Sequence, residues 1–526
     1  MNFNIPQINF NFNKVNNNVR KSYVTPSFKA NEQKGDTFEM SIGYVNDLHG
    51  QTNNMMRVLS GLEGDLKLSA GDNDIGNEKN VAVHKATRAF LNISGIKASA
   101  FGNHELDTTQ ADFIEGLKSI KTEILAVNFR KEKDWETRED NKPEYQRAAV
   151  DKAIKPSTIV EVKGEKIGIV GAAPIDMFER TTYPDYQRDC YVEPLDETIV
   201  DIQKEVDNLK SQGINKIVLV SHLGNKRDQV VAQNTSGIDV IIGGHTHELV
   251  KGITEGENLL YSKDGEPVVI TEAGKDGSYF GKLNVTFDKD GVLTKAQNNI
   301  GETRLYSKNM VYQYMFNEFL GKPEDIGTVV DAPPPPKTLI EENPHANYVC
   351  DAMKHITKSE IAVWNNSGIR NFFHKGAIDS RDIKDIAPFA DDISVANISE
   401  KAIVDMFKQI IKTTYNSQGF KPGLIAVSGL EYTVNETTHE LVAMNFVDND
   451  GNKTPIDIDN PREDKTYRLV TDEYIMSAGA DYPILATPEE CLEIYPYDKD
   501  VMTCQYIKEM GEPVVINQTG RITFVK

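Results

Sequence analysis

At 526 residues the chain exceeds what one ordinary core organises, so two or three domains are expected. Its composition, 39% hydrophobic and 26% charged, is that of a soluble globular protein. A formal net charge of −21 argues against a nucleic-acid-binding surface, yet a small phosphate ester remains accessible where metal ions reverse the local field.

Residues 1–36 are rich in Asn, with Asn/Phe/Ile alternation in Asn2–Phe12. They read as a disordered tail, or in the alternating part as an added edge strand. No apolar signal region with a cleavage site follows, and no run approaches the ~18 apolar residues of a membrane span. Cys190, Cys350, Cys491 and Cys504 are scattered without a CxxC pair, so free thiols are expected rather than a disulfide or zinc-thiolate framework.

From Phe38 the pattern becomes regular. Phe38–Val45 and Leu66–Ala70 read as strands, Ala82–Leu91 and Asp112–Ile120 as helices, Ile124–Val127 and Lys166–Val170 as further strands. Ile199, Ile202, Val206 and Leu209 fall on one helical face, ended by Gly213. Strands are then expected at Lys216–Val220, Asp239–Ile242 and Val268–Thr271, with a hairpin at Leu283–Val292. Trp135–Tyr145 reads as a charged surface loop. This alternation predicts an α/β layered domain with functional residues at strand ends.

Five apolar segments, Ala98-Ser99-Ala100 among them, deliver a hard-metal ligand type directly after the strand. They carry Asp47 and His49, Asp72, Asn103, His222, then His245 and His247. Imidazole, carboxylate and amide oxygen without thiolate suit Mn, Zn, Fe or Mg rather than a closed structural zinc site. Asp-x-His and His-x-His place alternate residues of an extended segment on one side, so each pair is expected to face one cleft. A single His at a strand end is ordinarily a hydrogen-bonded structural residue; five such turns in order outweigh that reading.

The motifs Asp47-Leu48-His49, Gly71-Asp72, Gly102-Asn103-His104-Glu105, Ser221-His222 and Gly244-His245-Thr246-His247 resemble those of the calcineurin-like two-metal metallophosphoesterases. The resemblance is closest to the branch of 5'-nucleotidases, UDP-sugar hydrolases and 2',3'-cyclic-nucleotide phosphodiesterases. It implies a four-layer α/β/β/α catalytic domain holding two divalent ions (Mn, Zn, Co, Fe or Mg). Asp47, His49, Asp72 and His247 would bind one, and Asp72, Asn103, His222 and His245 the other. A bridging hydroxide would attack the phosphoryl group. His104 would serve as acid or phosphoryl stabiliser, oriented by Asp107. Asp74, which departs from the family pattern, reads as a carboxylate behind a ligand His or as a solvated loop acid. Glu105 has no assigned role.

In the second half, Tyr312–Leu320 reads as a connecting helix, and Asp325–Val330 begins a new strand-like segment. Pro333–Pro336 reads as a stiff extended stretch, Tyr348–Ile356 and the segment from Ser399-Glu400 as helices. Trp364–Arg370, Ala387-Pro388-Phe389, Ser428–Tyr432 and Ser477–Tyr482 resemble the C-terminal α/β substrate-binding domain of the same branch. The resemblance implies polar substrate contacts from Asn365 and Arg370, a substrate-side position for Gly429, and a nucleobase between Phe389 and Tyr482. The alternative for the two rings is ordinary core packing. The sequence His345-Ala346-Asn347 and the turn Ala478–Tyr482 depart from the family pattern, which leaves the nucleoside preference open.

The expected division is a tail over 1–36, a catalytic domain over 37–305, a linker helix over 306–323 and a substrate domain over 324–526. The expected activity is hydrolysis of nucleoside 5'-monophosphates. The rivals are a cyclic nucleotide, a nucleotide sugar or another phosphate ester, and a non-catalytic binding protein on the same fold. The family is mostly extracytoplasmic, whereas no signal is recognisable here.

Overall fold

Two sheets stacked face to face build the first domain. The first runs in the order Leu293–Glu302, Tyr279–Phe287, Phe38–Val45, Leu66–Ser69, Ala98–Ala100, Glu123–Leu125 and Ile154–Lys155. The second runs Leu259–Tyr261, Pro267–Thr271, Val240–Gly243, Ile217–Ser221, Glu165–Ala172 and Ser157–Val162. The computed structural model describes residues 37–75, 80–131, 154–179, 190–416, 422–477, 482–511, 513–517 and 520–526. The expected N-terminal tail, the Trp135–Tyr145 loop and residues 478–481 of the C-terminal turn lie outside the described residues.

Between the sheets, Ile42, Leu68 and Leu125 meet Ile169, Val218 and Ile242 in one apolar layer. Helix Leu195–Ser211 covers the outer face of the second sheet through Ile202, Val206 and Leu209. Helices Thr52–Gly61 and Val81–Ser94 cover the first through Met55, Met56, Ala86 and Phe90. This is the expected α/β/β/α layering. It explains why Ile217–Ser221 and Val240–Gly243 are continuous apolar runs buried at every position, for they are covered on both faces.

Phe38–Val45, Leu66–Ser69, Ala98–Ala100 and Glu123–Leu125 are mutually parallel, as are Glu165–Ala172, Ile217–Ser221, Val240–Gly243 and Pro267–Thr271. Parallel strands end along a common edge, so the loops that follow them gather there. The hairpin is longer than its sequence pattern suggests, pairing Tyr279–Phe287 with Leu293–Glu302.

The second domain holds a five-stranded sheet in the order Ile425–Ser428, Ile361–Asn365, Thr466–Asp472, Ile393–Ser399 and Glu493–Tyr495. Helices Pro344–Thr357 and Glu400–Asn416 bury Val349, Met353, Ile403, Phe407 and Ile410 in its core. All four cysteines are free. No helix of the described residues is long and apolar enough to cross a membrane.

Helix Met310–Leu320, expected as a connector, packs onto the first domain, while Arg381 of the second donates to Asn317 Oδ1 at 2.9 Å and to the Gly321 carbonyl at 2.7 Å. Phe316 is fully buried in the cluster formed by Met55, Val58 and Phe90. Phe316→Ala is expected to lower stability by about 3–5 kcal/mol, read as a fall in the urea midpoint. An unchanged midpoint would mean that the helix is only a tether.

Candidate active site

The five predicted turns do converge, at the shared edge of the two sheets. Their local geometry differs from the expected extended alternation. Asp47, His49, Asp72, His245 and His247 all adopt positive φ, between 47° and 76°. The side chains within each pair therefore converge through left-handed turns rather than through a strand's period of two. Only nine non-glycine residues among those described have positive φ, so this clustering marks a strained and over-determined site.

One group of ligand-type atoms joins Asp47, His49 and His247, and a second joins Asp72, His222 and His245; within each, the atoms lie within 4.8 Å of one another. His49 Nε2 is 3.7 Å from both Asp47 Oδ1 and Asp72 Oδ2. His247 Nε2 is 3.3 Å from Asp47 Oδ1, and His222 Nε2 is 2.9 Å from Asp72 Oδ2. His104 also approaches His49 and Asp72. Its Nδ1, however, is taken by Asp107 Oδ2 at 2.6 Å, while its backbone N–H donates to Asp72 Oδ1 at 2.8 Å.

Further partners orient the rings. His222 Nδ1 bonds the Ala70 carbonyl at 2.6 Å. His49 Nδ1 meets Asp276 Oδ1 at 2.7 Å, and His245 Nε2 lies 3.2 Å from Asp176 Oδ1. Neither Asp276 nor Asp176 stood out in the sequence, because each sits in a loop far from the motif it serves. Glu105 also gains a role: its carboxylate accepts from the backbone N–H groups of Asp72, Asn73 and Gly102 at 2.8–3.0 Å, tying two site loops together. Asp74 pairs with His84 on helix Val81–Ser94 at 2.8 Å. That carboxylate is neither behind a ligand His nor a solvated loop acid.

The residues fit a pair of cations. His49 Nε2 and Asn103 Oδ1 are buried without a hydrogen-bond partner, and both are donor atoms of the expected ligand set. Burial alone would push the Asp47 carboxyl up, but His222 and His247 hold it below the ordinary carboxylate range. Burial works against a charged His222, yet Asp72 and Asp47 raise it to about 10. Two buried carboxylates thus draw positive charge into the site, a proton on His222 serving where divalent ions would otherwise do so. The walls are equally tight. A Cβ at Gly102 would stand 2.2 Å from Asp72 Oδ1, and one at Gly244 2.9 Å from Asp47 Oδ2.

The second domain reaches this edge. Gln51 Nε2 donates to the Asp385 carbonyl, Asn53 Nδ2 to Asp382 Oδ1, and Asn80 Nδ2 to the Pro388 carbonyl, at 2.9, 2.6 and 2.9 Å. Arg370 lies with its guanidinium carbon 5.2 Å from the Phe389 ring centre, and its Nε is buried without a partner. Its charge is felt at both His104 and Asp276. Asn365 ends the strand leading to Arg370 and donates to Ser367 Oγ at 2.9 Å.

Two expected substrate residues lie elsewhere. Tyr482 is 4% exposed and packed in the domain core, its ring centre 6.0 Å from that of Tyr474 at 69°. Gly429 follows a strand paired antiparallel to Ile361–Asn365 and packs on Glu360, at the end opposite Asn365, about 13 Å away at ~3.3 Å per residue. Its positive φ of 80° and the close Glu360 carbonyl explain the glycine without a ligand.

Comparison with known proteins agrees with this architecture. A family model described as calcineurin-like phosphoesterase matches residues 40–249, and one described as 5'-nucleotidase, C-terminal domain, matches residues 326–487. The trifunctional nucleotide phosphoesterase protein YfkN of Bacillus subtilis (strain 168) is 25% identical over 93% of this chain, which spans 35% of that protein's length. A 5'-nucleotidase of Diplobatis ommata is 26% identical over 83% of this chain and 77% of its own. The crystal structure of a 5'-nucleotidase precursor from Thermus thermophilus has the same fold. It superposes with a TM-score of 0.67 at 22% identity, over 93% of this chain and 99% of that one. With the two models matched in succession, the chain carries a calcineurin-like phosphoesterase domain followed by a 5'-nucleotidase C-terminal domain.

Proposed function

We propose that this chain hydrolyses nucleoside 5'-monophosphates, or closely related nucleotides, to nucleoside and phosphate with two divalent metal ions. The observation that carries the reading is the meeting of the two ligand groups with Arg370 and Phe389 of the second domain. The relatives named as a 5'-nucleotidase and a nucleotide phosphoesterase support it.

Asp47, His49, Asp72 and His247 would hold one ion, and Asp72, Asn103, His222 and His245 the other. Asp72, as a carboxylate common to both sets, would offset the repulsion between two cations. Such a pair, when bound, activates a water and neutralises the phosphoryl oxygens. With Asp107 accepting from Nδ1 at 2.6 Å, His104 can donate a proton from Nε2 as the imidazolium, the form that the Asp107 charge favours. Burial disfavours that proton, but Asp107 and Asp72 together raise the His104 pKa above its ordinary value. Arg370 presents a planar fork to phosphate, and a base stacked on Phe389 would gain about 1–3 kcal/mol.

The burial of Tyr482 favours a second reading, in which no two-ring clamp selects the organic group. A cyclic nucleotide, a nucleotide sugar or a non-nucleotide phosphate ester would then serve equally.

Phosphate release from AMP, a cyclic nucleotide, a UDP-sugar and p-nitrophenyl phosphate, with Mn, Co, Zn or Mg, separates the two. AMP is expected to turn over fastest, and chelation to abolish release. Equal rates across the panel would favour the second reading, and no release under any condition would overturn both. His104→Ala is expected to retain two metal ions by elemental analysis while kcat falls ~10²–10⁴-fold. Loss of metal in that variant would contradict the division of roles.

A further inference from the structure

We propose that Asp276 is a positioning residue for His49, fixing the tautomer and direction of its imidazole so that Nε2 faces the Asp47 and Asp72 carboxylates. The inference rests on the reading of His49 as a metal ligand.

The geometry around Asp276 is over-determined. Its Oδ1 takes His49 Nδ1 at 2.7 Å, its backbone N–H donates to the Asp47 carbonyl at 2.6 Å, and its own carbonyl accepts from Asn54 Nδ2 at 2.8 Å. One loop residue thus grips both ends of the Asp47–His49 turn and the helix that follows it. To do so it sits buried at a φ of 56°, which a non-glycine residue rarely adopts. Gly274 and Gly277, at φ of 71° and 59°, curl the loop on either side. Lys275 Nζ lies 3.3 Å from Asp276 Oδ2, beside the oxygen that His49 does not use.

A neutral imidazole carries its proton on one nitrogen only. With Asp276 accepting from Nδ1, that proton is held away from the carboxylates, and the Nε2 lone pair is aimed at them. Nε2 is itself buried without a hydrogen-bond partner, which is the state a ligand nitrogen needs. Without Asp276, a proton at Nε2 would find Asp47 and Asp72 as acceptors and block the position a cation would take.

The test compares D276G, which keeps the backbone contacts and tolerates the left-handed φ, with D276N, which keeps an acceptor for Nδ1–H. All measurements use the full chain, stripped by chelation and reloaded with Mn²⁺. D276G is expected to melt, when stripped, within a few degrees of the parent. It should bind Mn²⁺ ~10–100-fold more weakly at one of its two positions. D276N should recover most of that loss. Imidazole ¹⁵N shifts of the stripped parent should show His49 in the Nδ1–H form, and those of D276G should not. Unchanged Mn²⁺ affinity in D276G, or any other His49 form in the parent, would overturn the proposal; the parent spectrum decides even if D276G does not fold. H49A keeps the two readings apart. If H49A binds Mn²⁺ like the parent, the ligand reading itself fails; if only D276G does, the positioning role alone fails.

Discussion

Asp47 and Asp72 are brought together at 0% and 2% exposure, and this buried pair of carboxylates constrains the rest of the site. Like charges with little water around them repel strongly, so the surroundings must supply positive charge. Three imidazole nitrogens lie within 3.7 Å of one or both carboxylates, on His49, His222 and His247. Two donor atoms at the site, on His49 and Asn103, are buried without hydrogen bonds of their own. Two buried carboxylates beside three ring nitrogens make a donor set that suits divalent ions. It would be costly for any purely structural purpose.

Holding it in place takes most of the first domain. Parallel strands from both sheets end at one edge, and left-handed turns redirect the side chains inward. Each strained residue costs about 1–3 kcal/mol, which the surrounding packing must offset. The partners named above do that locally: Glu105 gathers three backbone N–H groups, Asp276 ties Asp47 to His49, and Asp107 holds His104. The conspicuous acid of the Gly102–Asp107 stretch is therefore scaffolding. Its function is to bind one site loop to another.

The second domain joins this edge through polar contacts rather than a shared apolar core. Helix Thr52–Gly61, which begins directly after the first ligand turn, lacks a side-chain cap of its own. Asp385 of the second domain accepts from its Asn53 N–H at 3.2 Å. Burial and the neighbouring Asp382 raise Asp385 to about 8, so that contact is made by a carboxyl that gives up its proton reluctantly. The same segment leads to Pro388 and Phe389, which links the Asp47–His49 turn to the placement of Phe389.

Much of this was legible in the sequence. Apolar runs followed by Asp, Asn or His at five places announced strands ending in residues able to hold a metal, because buried parallel strands and hard-metal donors both have strong local signatures. The layered fold followed from the same alternation. What the sequence could not carry were facts that join distant segments. Asp276 and Asp176 serve histidines far from them in the chain, with no motif to mark them. Asp74 turned toward His84, the 310–320 helix packed as part of the first domain, and Tyr482 entered a core. Gly429 matched a motif but lies at the wrong end of its strand, since pairing register is set by two segments rather than one. The chain alone determined which atoms could bind metal. Only tertiary structure decided which carboxylate orients which ring, because that depends on where separate loops come to rest.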